Sequence, residues 1–139
     1  MIKIVTACVG DLLHIGHVQM FERCRELGDY LIVGVVEDLL TAKYKRLPII
    51  PQEQRLKMIK SLRCVDKAEI TDTKSAVSLC RKYQPDIFVR ADDWQDPEAR
   101  DYMKSIGKRV IYLPRTDGVS TTDIITEIEK RYKLKQWIN

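Results

Sequence analysis

Long apolar runs are missing from these 139 residues. The longest, such as Tyr30–Val36, fall far short of the ~18 residues needed to cross a bilayer, so no membrane partner is expected. Cysteine is sparse: Cys8, Cys24, Cys64 and Cys80 stand far apart with no C-x-x-C spacing. That favours reduced core thiols over bridges or a zinc site. The N-terminus lacks the basic region, apolar stretch and small-residue cleavage site of a signal peptide, so a cytoplasmic location is expected. Neither an internal repeat nor a low-complexity linker interrupts the chain. One domain over residues 1–139 is therefore expected, with 133–139 as a C-terminal tail. Acidic residues are nearly absent from Lys43–Arg63, where seven basic side chains face Glu53 alone. Such a stretch suits a phosphorylated small molecule, a nucleic acid or a solvated helix face. Few aromatics interleave with those charges, which argues against nucleic acid.

What is present is a soluble, globular balance: 45% hydrophobic and 32% charged residues, with a net charge of +4. Ile2–Val9 reads as a buried strand, followed by a helix from Gly16 to Leu27 whose Val18, Phe21, Cys24 and Leu27 share a stripe. Gly28 reads as a left-handed stop. Tyr30–Val36 is a second strand, and a basic loop with Pro48 and Pro51 leads to a helix carrying Leu56, Ile59 and Leu62 inward. Lys67–Thr71 is a third strand, and Asp72 or Thr73 is expected to cap the helix that follows, through Tyr83. Ile87–Arg90 and Arg109–Leu113 complete the strands, separated by a helix from Pro97 to Gly107. A last helix opens at Ser120, with Ile124, Ile125, Ile128 and Tyr132 on one face. Strand and helix alternate five times, which calls for a parallel sheet with right-handed crossovers and helices on both faces.

In such a sheet a ligand sits beyond the carboxyl ends of the strands, where strand order reverses. The unusual sequence falls there. Asp11–His17 follows strand one, the basic loop around Lys45 follows strand two, Ala91–Trp94 follows strand four, and Pro114–Thr122 follows strand five. His14 and His17 are the only histidines, three apart at a helix start, where free N–H groups and the helix dipole favour phosphate. Gly16 between them admits a ligand close to the backbone. Catalysis or phosphate contact suits the pair; a structural pair or half a metal site are the alternatives, the latter needing carboxylates such as Asp92 or Asp93. Ser120–Asp123 reads as a capping box with Asp in place of Glu or Gln. Arg115 and Gly118 before it suggest a second phosphate cradle. Two cradles on one rim suit a polyphosphate. Asp92-Asp93-Trp94 is either a turn with a buried ring or a place where a ring and carboxylates meet a ligand.

At these residues the sequence resembles the small nucleotidyltransferases of the cytidylyltransferase family. Their signature is an early His-x-Gly-His, here His14-Ile15-Gly16-His17, and a late Arg-Thr-x-Gly-[Ile/Val]-Ser-Thr-[Thr/Ser], here Arg115–Thr122. The similarity covers nearly the whole chain, including Leu27–Val33 and Arg63–Asp66, and Asp92-Asp93-Trp94 is most similar to glycerol-3-phosphate cytidylyltransferases. In two places the chain departs from the pattern. Cys8-Val9-Gly10-Asp11 stands where the family has Gly-Thr-Phe-Asp or Gly-Val-Phe-Asp, and Arg90-Ala91 precedes the acid pair where relatives often carry Gly or His.

The resemblance implies a doubly wound, Rossmann-like five-stranded parallel sheet of order 3-2-1-4-5, of the HxGH nucleotidyltransferase type. It implies transfer of CMP from CTP to a small phospho-alcohol, such as a glycerol-3-phosphate-like acceptor, with pyrophosphate released. ATP-dependent adenylyl transfer and a catalytically altered nucleotide-binding protein are the rival readings. His14, His17 and Lys45 become the catalytic residues. Val9, Gly10 and Gly16 with Asp92, Asp93 and Trp94 become nucleotide contacts, as do Arg115, Thr116, Ser120 and Thr121. Asp11, Lys43, Arg46 and Arg55 are implied on the acceptor side, and Arg63 and Asp66 at a homodimer interface. Mg²⁺ would be held mainly by the substrate phosphates.

Overall fold

Five short segments, Lys3–Cys8 (β1), Tyr30–Val36 (β2), Lys67–Thr71 (β3), Ile87–Ala91 (β4) and Arg109–Leu113 (β5), join into a single parallel sheet. Its order is β3-β2-β1-β4-β5. The computed structural model describes residues 1–92 and 95–134. Strand order reverses at β1, the central strand, so the loops after β1 and β4 diverge there and leave a crevice. Val5 of β1 lies opposite Ile32 on one side and Phe88 on the other.

Side chains alternate across the pleat, and each face carries its own helical layer. Ile4, Leu31, Val33, Val35 and Val89 pack beneath Phe21 and Cys24 of α1 (Ile15–Glu26) and Ile59 of α3 (Gln52–Lys60). Val5, Ala7, Ile32 and Phe88 pack beneath Leu79 and Cys80 of α4 (Val77–Tyr83) and Ala99 and Met103 of α5 (Pro97–Ser105). All four cysteines are free thiols; Cys24 and Cys80 are buried, Cys8 and Cys64 half-buried.

Several local expectations change. A short helix, α2 (Asp38–Tyr44), occupies the start of the expected basic loop. Asp38 in its first turn and Lys43 in its last match the helix dipole, a signal that seven residues are too short to reinforce by periodicity. Gly28 is not in the left-handed region: only Gly10, Gly107 and Gly118 among the glycines have positive φ. It is needed for close approach, because a Cβ there would come within 2.4 Å of Ile4 Cδ1 and 2.8 Å of the Ile2 carbonyl. Neither Asp72 nor Thr73 caps α4. The buried Asp96, far along the chain, accepts from the Ala76 N–H and the Ser75 hydroxyl, each at 2.7 Å, and also caps α5 through Ala99 N–H. Finally, α6 (Thr121–Lys133) beds down only at its start: Ile124 and Ile125 are half-buried, whereas Ile128 and Tyr132 are exposed.

Candidate active site

The loop from β1 to α1 is wound tightly. Gly10 takes φ +70°, and a Cβ there would meet Ile59 Cδ1 at 2.7 Å. Leu12 is also left-handed at φ +49°, a conformation that costs an ordinary residue of order 1 kcal/mol or more. Asp11 holds this turn in place. Its buried carboxylate accepts from the N–H groups of Ile49 and Ile50 at 2.9 Å and of Leu12 at 3.1 Å. The β1–α1 loop is thereby tied to the segment before α3.

The two histidines cap α1 reciprocally. His14 is the N-cap, its Nδ1 accepting from Gly16 N–H at 3.0 Å, while His17 Nδ1 accepts from His14 N–H at 3.1 Å. The rings lie 3.9 Å apart between centroids. Gly16 serves the cap itself, since a Cβ would sit 2.9 Å from the His14 ring. An acceptor Nδ1 carries no proton, so the hydrogen-bond network assigns the proton of each neutral ring to Nε2. Both imidazoles therefore present an N–H donor on the side away from the helix backbone. Burial and the Arg115 guanidinium lower the pKa of His14. Burial first, then His14 and Arg115, lower that of His17 to about 4. Near neutral pH the pair is uncharged and donates from Nε2.

The second cradle faces the first. Gly118, at φ +75°, turns the chain into α6, where Ser120 is the N-cap and accepts from Asp123 N–H at 3.0 Å. The Thr121 hydroxyl donates to the Asp11 carbonyl at 2.9 Å, across 110 residues of sequence. That bond closes the two helix N-termini onto one cleft of about 760 Å³. His14, His17, Val9, Gly10, Asp11 and Gly16 line it from one side; Arg115, Thr116, Ser120 and Thr121 line it from the other. Lys45 and Arg46, at the end of α2, complete the expected residues that line it.

Other expected residues lie elsewhere. Arg55 does not face an acceptor. Its fully buried guanidinium donates to the carbonyls of Val9, Val36 and Ile50 and pairs with Asp38, so it supports the floor of the cleft from below. Lys43 is exposed on α2 and outside the lining, as is Asp92, whose N–H extends the β4–β5 pairing to the Leu113 carbonyl. Asp93 and Trp94 lie outside the described residues. Asp66 turns back on its own chain, accepting from Leu31 N–H at 2.8 Å and pairing with Arg25 at 3.0 Å, while Arg63 is exposed. The basic stretch is consequently not one surface: Arg55 is interior, Lys45 and Arg46 enter the cleft, and Lys57 and Lys60 are exposed on α3.

Among the lining residues that were not expected in the site, Arg90, Tyr44 and Lys74 carry charge or an aromatic ring. Arg90 is buried on the cleft floor and donates to the Ala7 carbonyl at 2.6 Å; a charged residue inside an otherwise apolar strand was the available signal. Tyr44 and Lys74 meet at the far end, the ammonium 4.5 Å from the ring centroid. Their sequence separation left no signal. Cys8 also lines the cleft, but burial pushes its thiol up to about 11 against the pull of Arg90, Arg55 and Lys45, so it stays protonated. Among the described residues the lining holds five cations (Lys45, Arg46, Lys74, Arg90, Arg115) and one acid, Asp11. Such a field concentrates polyanions.

A doubly wound sheet whose first and last helices aim their N-termini at one cationic cleft defines a nucleotide-binding α/β protein. Residues 9–127 match the family model described as cytidylyltransferase-like, and the chain belongs to that family. It is similar to glycerol-3-phosphate cytidylyltransferase of Bacillus subtilis (strain 168), 35% identical over 129 residues, which cover 91% of this chain and 96% of that relative. It is equally similar to the bifunctional protein HldE of Syntrophotalea carbinolica, 35% identical over 128 residues and 88% of this chain. The chain spans only about a quarter (26%) of the length of that bifunctional relative. Among solved structures, the lipopolysaccharide core biosynthesis protein from Thermoplasma volcanium superposes with a TM-score of 0.75 at 26% identity, over 84% of this chain and 99% of that one. Pantothenate synthetase from Thermus thermophilus, at 16% identity and TM-score 0.62 over 95% of this chain and 64% of that one, shares the fold.

Proposed function

We propose that this chain transfers CMP from CTP to a small phospho-alcohol, giving a CDP-alcohol and pyrophosphate. An oxygen of the acceptor phosphate bonds to the α-phosphorus. The bond from that phosphorus to the bridging oxygen breaks, and its electron pair leaves with pyrophosphate. Family membership and the likeness to a glycerol-3-phosphate cytidylyltransferase support the reaction class. The single structural observation that carries it is the Thr121–Asp11 bond, which brings the histidine cap and the hydroxyl-rich turn onto one ligand site.

Catalysis of this displacement is positioning and charge stabilisation, without a covalent role for the protein. Neutral His14 and His17 donate Nε2–H to triphosphate oxygens whose charge grows as the α-phosphorus becomes crowded. Their Nδ1 bonds to backbone hold the rings in place beforehand, so no reorganisation is needed at the moment of reaction. Lys45 neutralises the α-phosphate and the incoming acceptor. Arg115 and Ser120 hold the outer phosphates, and Thr121 helps through the loop it anchors.

The donor set fits Mg²⁺ carried by the substrate. Among the described residues no three His, Cys, Asp or Glu side chains gather to hold a metal, and the Asp11 carboxylate is committed to three backbone N–H groups. Phosphate oxygens and water would supply the ligands, and Ser120 and Thr121 would act on the ion through the phosphates that carry it. When bound, the ion neutralises phosphate charge. A homodimer that uses the exposed Arg63 segment, and a cytoplasmic location, belong to the same reading; sedimentation of the purified protein at a dimer mass checks the former.

The test is turnover with each of the four nucleoside triphosphates and a panel of phospho-alcohols, followed by pyrophosphate release. CTP is expected to react only when an acceptor is present. Preference for ATP would move the chain to adenylyl transfer, and CTP binding without pyrophosphate release would make it a nucleotide-binding protein.

A further inference from the structure

The loop from β5 into α6 runs back along the β1–α1 unit. Thr121 donates to the Asp11 carbonyl. Val119 lies against Gly16, where a Cβ would be 3.6 Å from its Cγ1. The Pro114 carbonyl accepts from Arg23 Nη2. Three contacts in reverse chain order therefore lay this loop along α1 and tie it at both ends. Between the end ties stand Arg115, Thr116 and Ser120, which line the cleft. The loop is a thin wall at Thr116, which also borders a second hollow of about 410 Å³ on the outer side, lined by Gln19, Glu22, Arg23 and Glu26 of α1. Arg23 borders this outer hollow and is outside the cleft lining.

The last turn of α1 carries two arginines, Arg23 and Arg25, where a cation ordinarily serves the helix dipole and the free carbonyls. Arg25 does so, donating to the Gly28 carbonyl at 2.6 Å and pairing with Asp66 at 3.0 Å. Arg23 instead reaches the carbonyl immediately before Arg115, 91 residues further on. A charge-assisted bond there fixes the peptide from which the Arg115 side chain departs. After burial, the Arg115 guanidinium is what lowers the pKa of His14, so that side chain stands on the histidine side of the cleft. A loop tied at both ends before a ligand arrives need not be ordered by it, and that preorganisation strengthens binding. Resting on the cytidylyltransferase reading, we infer that Arg23 is a positioning residue for the nucleotide. From outside the cleft it fixes the start of the loop whose Arg115 and Ser120 receive the outer phosphates of CTP.

The experiment measures equilibrium affinity for CTP and for CMP, which lacks the outer phosphates, in the wild type, Arg23→Met and Arg23→Lys. Arg23→Met keeps the apolar stem and removes the donor. It should weaken CTP by roughly tenfold to a hundredfold, the size of a lost charged hydrogen bond, and CMP by less than about threefold. Arg23→Lys, which still carries a donor, should recover most of the CTP-to-CMP ratio. An unchanged ratio in Arg23→Met overturns the inference. So does an equal loss for both nucleotides, or failure of Arg23→Met to fold, since either makes Arg23 a support of the domain as a whole. A wild type that holds CMP as tightly as CTP overturns it too, because no outer phosphate then rests on the loop. Pyrophosphate release with a phospho-alcohol is followed alongside. A wild type that binds CTP yet releases none loses the cytidylyltransferase reading, while the ratio of affinities still decides the role of Arg23.

Discussion

The two ends of the cleft are built by different means. At the end proposed for the triphosphate the side chains are locked to the backbone: His14 and His17 cap a helix and each other, Ser120 caps a second helix, and Thr121 bonds the Asp11 carbonyl. At the other end Lys45, Arg46 and Lys74 are long, exposed side chains reaching in from a helix end and two loops. The first end has one geometry and suits one reaction. The second can change its preference by substitution without disturbing the fold. Rigid chemistry beside adjustable recognition is the division of labour this molecule displays.

The largest effect should come from the support that joins the two ends. Arg55→Ala leaves Asp38 unpaired and the Val9, Val36 and Ile50 carbonyls without their donor, and should cost about 3–5 kcal/mol of stability. Urea denaturation would read it; a loss below about 1 kcal/mol would return Arg55 to the surface. At the rigid end, His14→Ala should slow turnover by roughly 10²–10³ with the fold largely kept. A near-normal rate would make the ring a cap and nothing more.

A pH titration sharpens the same contrast. His17 binds fewer protons folded, at about 4, than unfolded, at 6.5, so its contribution is complete above pH 6.5 and is lost as pH falls towards 4. The loss should amount to roughly 3 kcal/mol at most. His17→Asn, whose amide oxygen can still accept from His14 N–H, should flatten the slope of stability against pH in that window. An equal slope in both proteins would put the proton uptake elsewhere. At the adjustable end, Lys45→Ala should lower kcat by about tenfold or more while nucleotide affinity changes little. Lys43→Ala, outside the lining, should change neither by more than about twofold. A larger fall in Lys43→Ala than in Lys45→Ala would reverse their roles.

How far the sequence could be read follows the same physics. β2, β3 and β5 have the boundaries expected of them: β2 is a buried apolar run, and the edge strands β3 and β5 are short segments rich in β-branched and apolar residues. α2 went unread, since seven residues offer too little periodicity against a basic background. The histidine pair at a helix start and the Ser120 cap were legible as local signals, whereas the reciprocal capping by the two rings was not. Arg55 was expected on the acceptor side from the family resemblance, which says nothing of its burial. Only its burial against three carbonyls shows otherwise. Asp96 capping a helix twenty residues before it, and Lys74 over Tyr44, depend on contacts between distant segments and had no local trace.

Alternation of apolar runs with amphipathic ones determined the sheet, and cap residues determined where the helices that open on the cleft begin, because both are decided within a few neighbouring residues. Which cations enter the cleft, which is sealed beneath it, and which carboxylate is consumed by backbone N–H groups were decided only by tertiary packing. A charge declares its partner through distance and burial, and neither is written in the order of the residues around it.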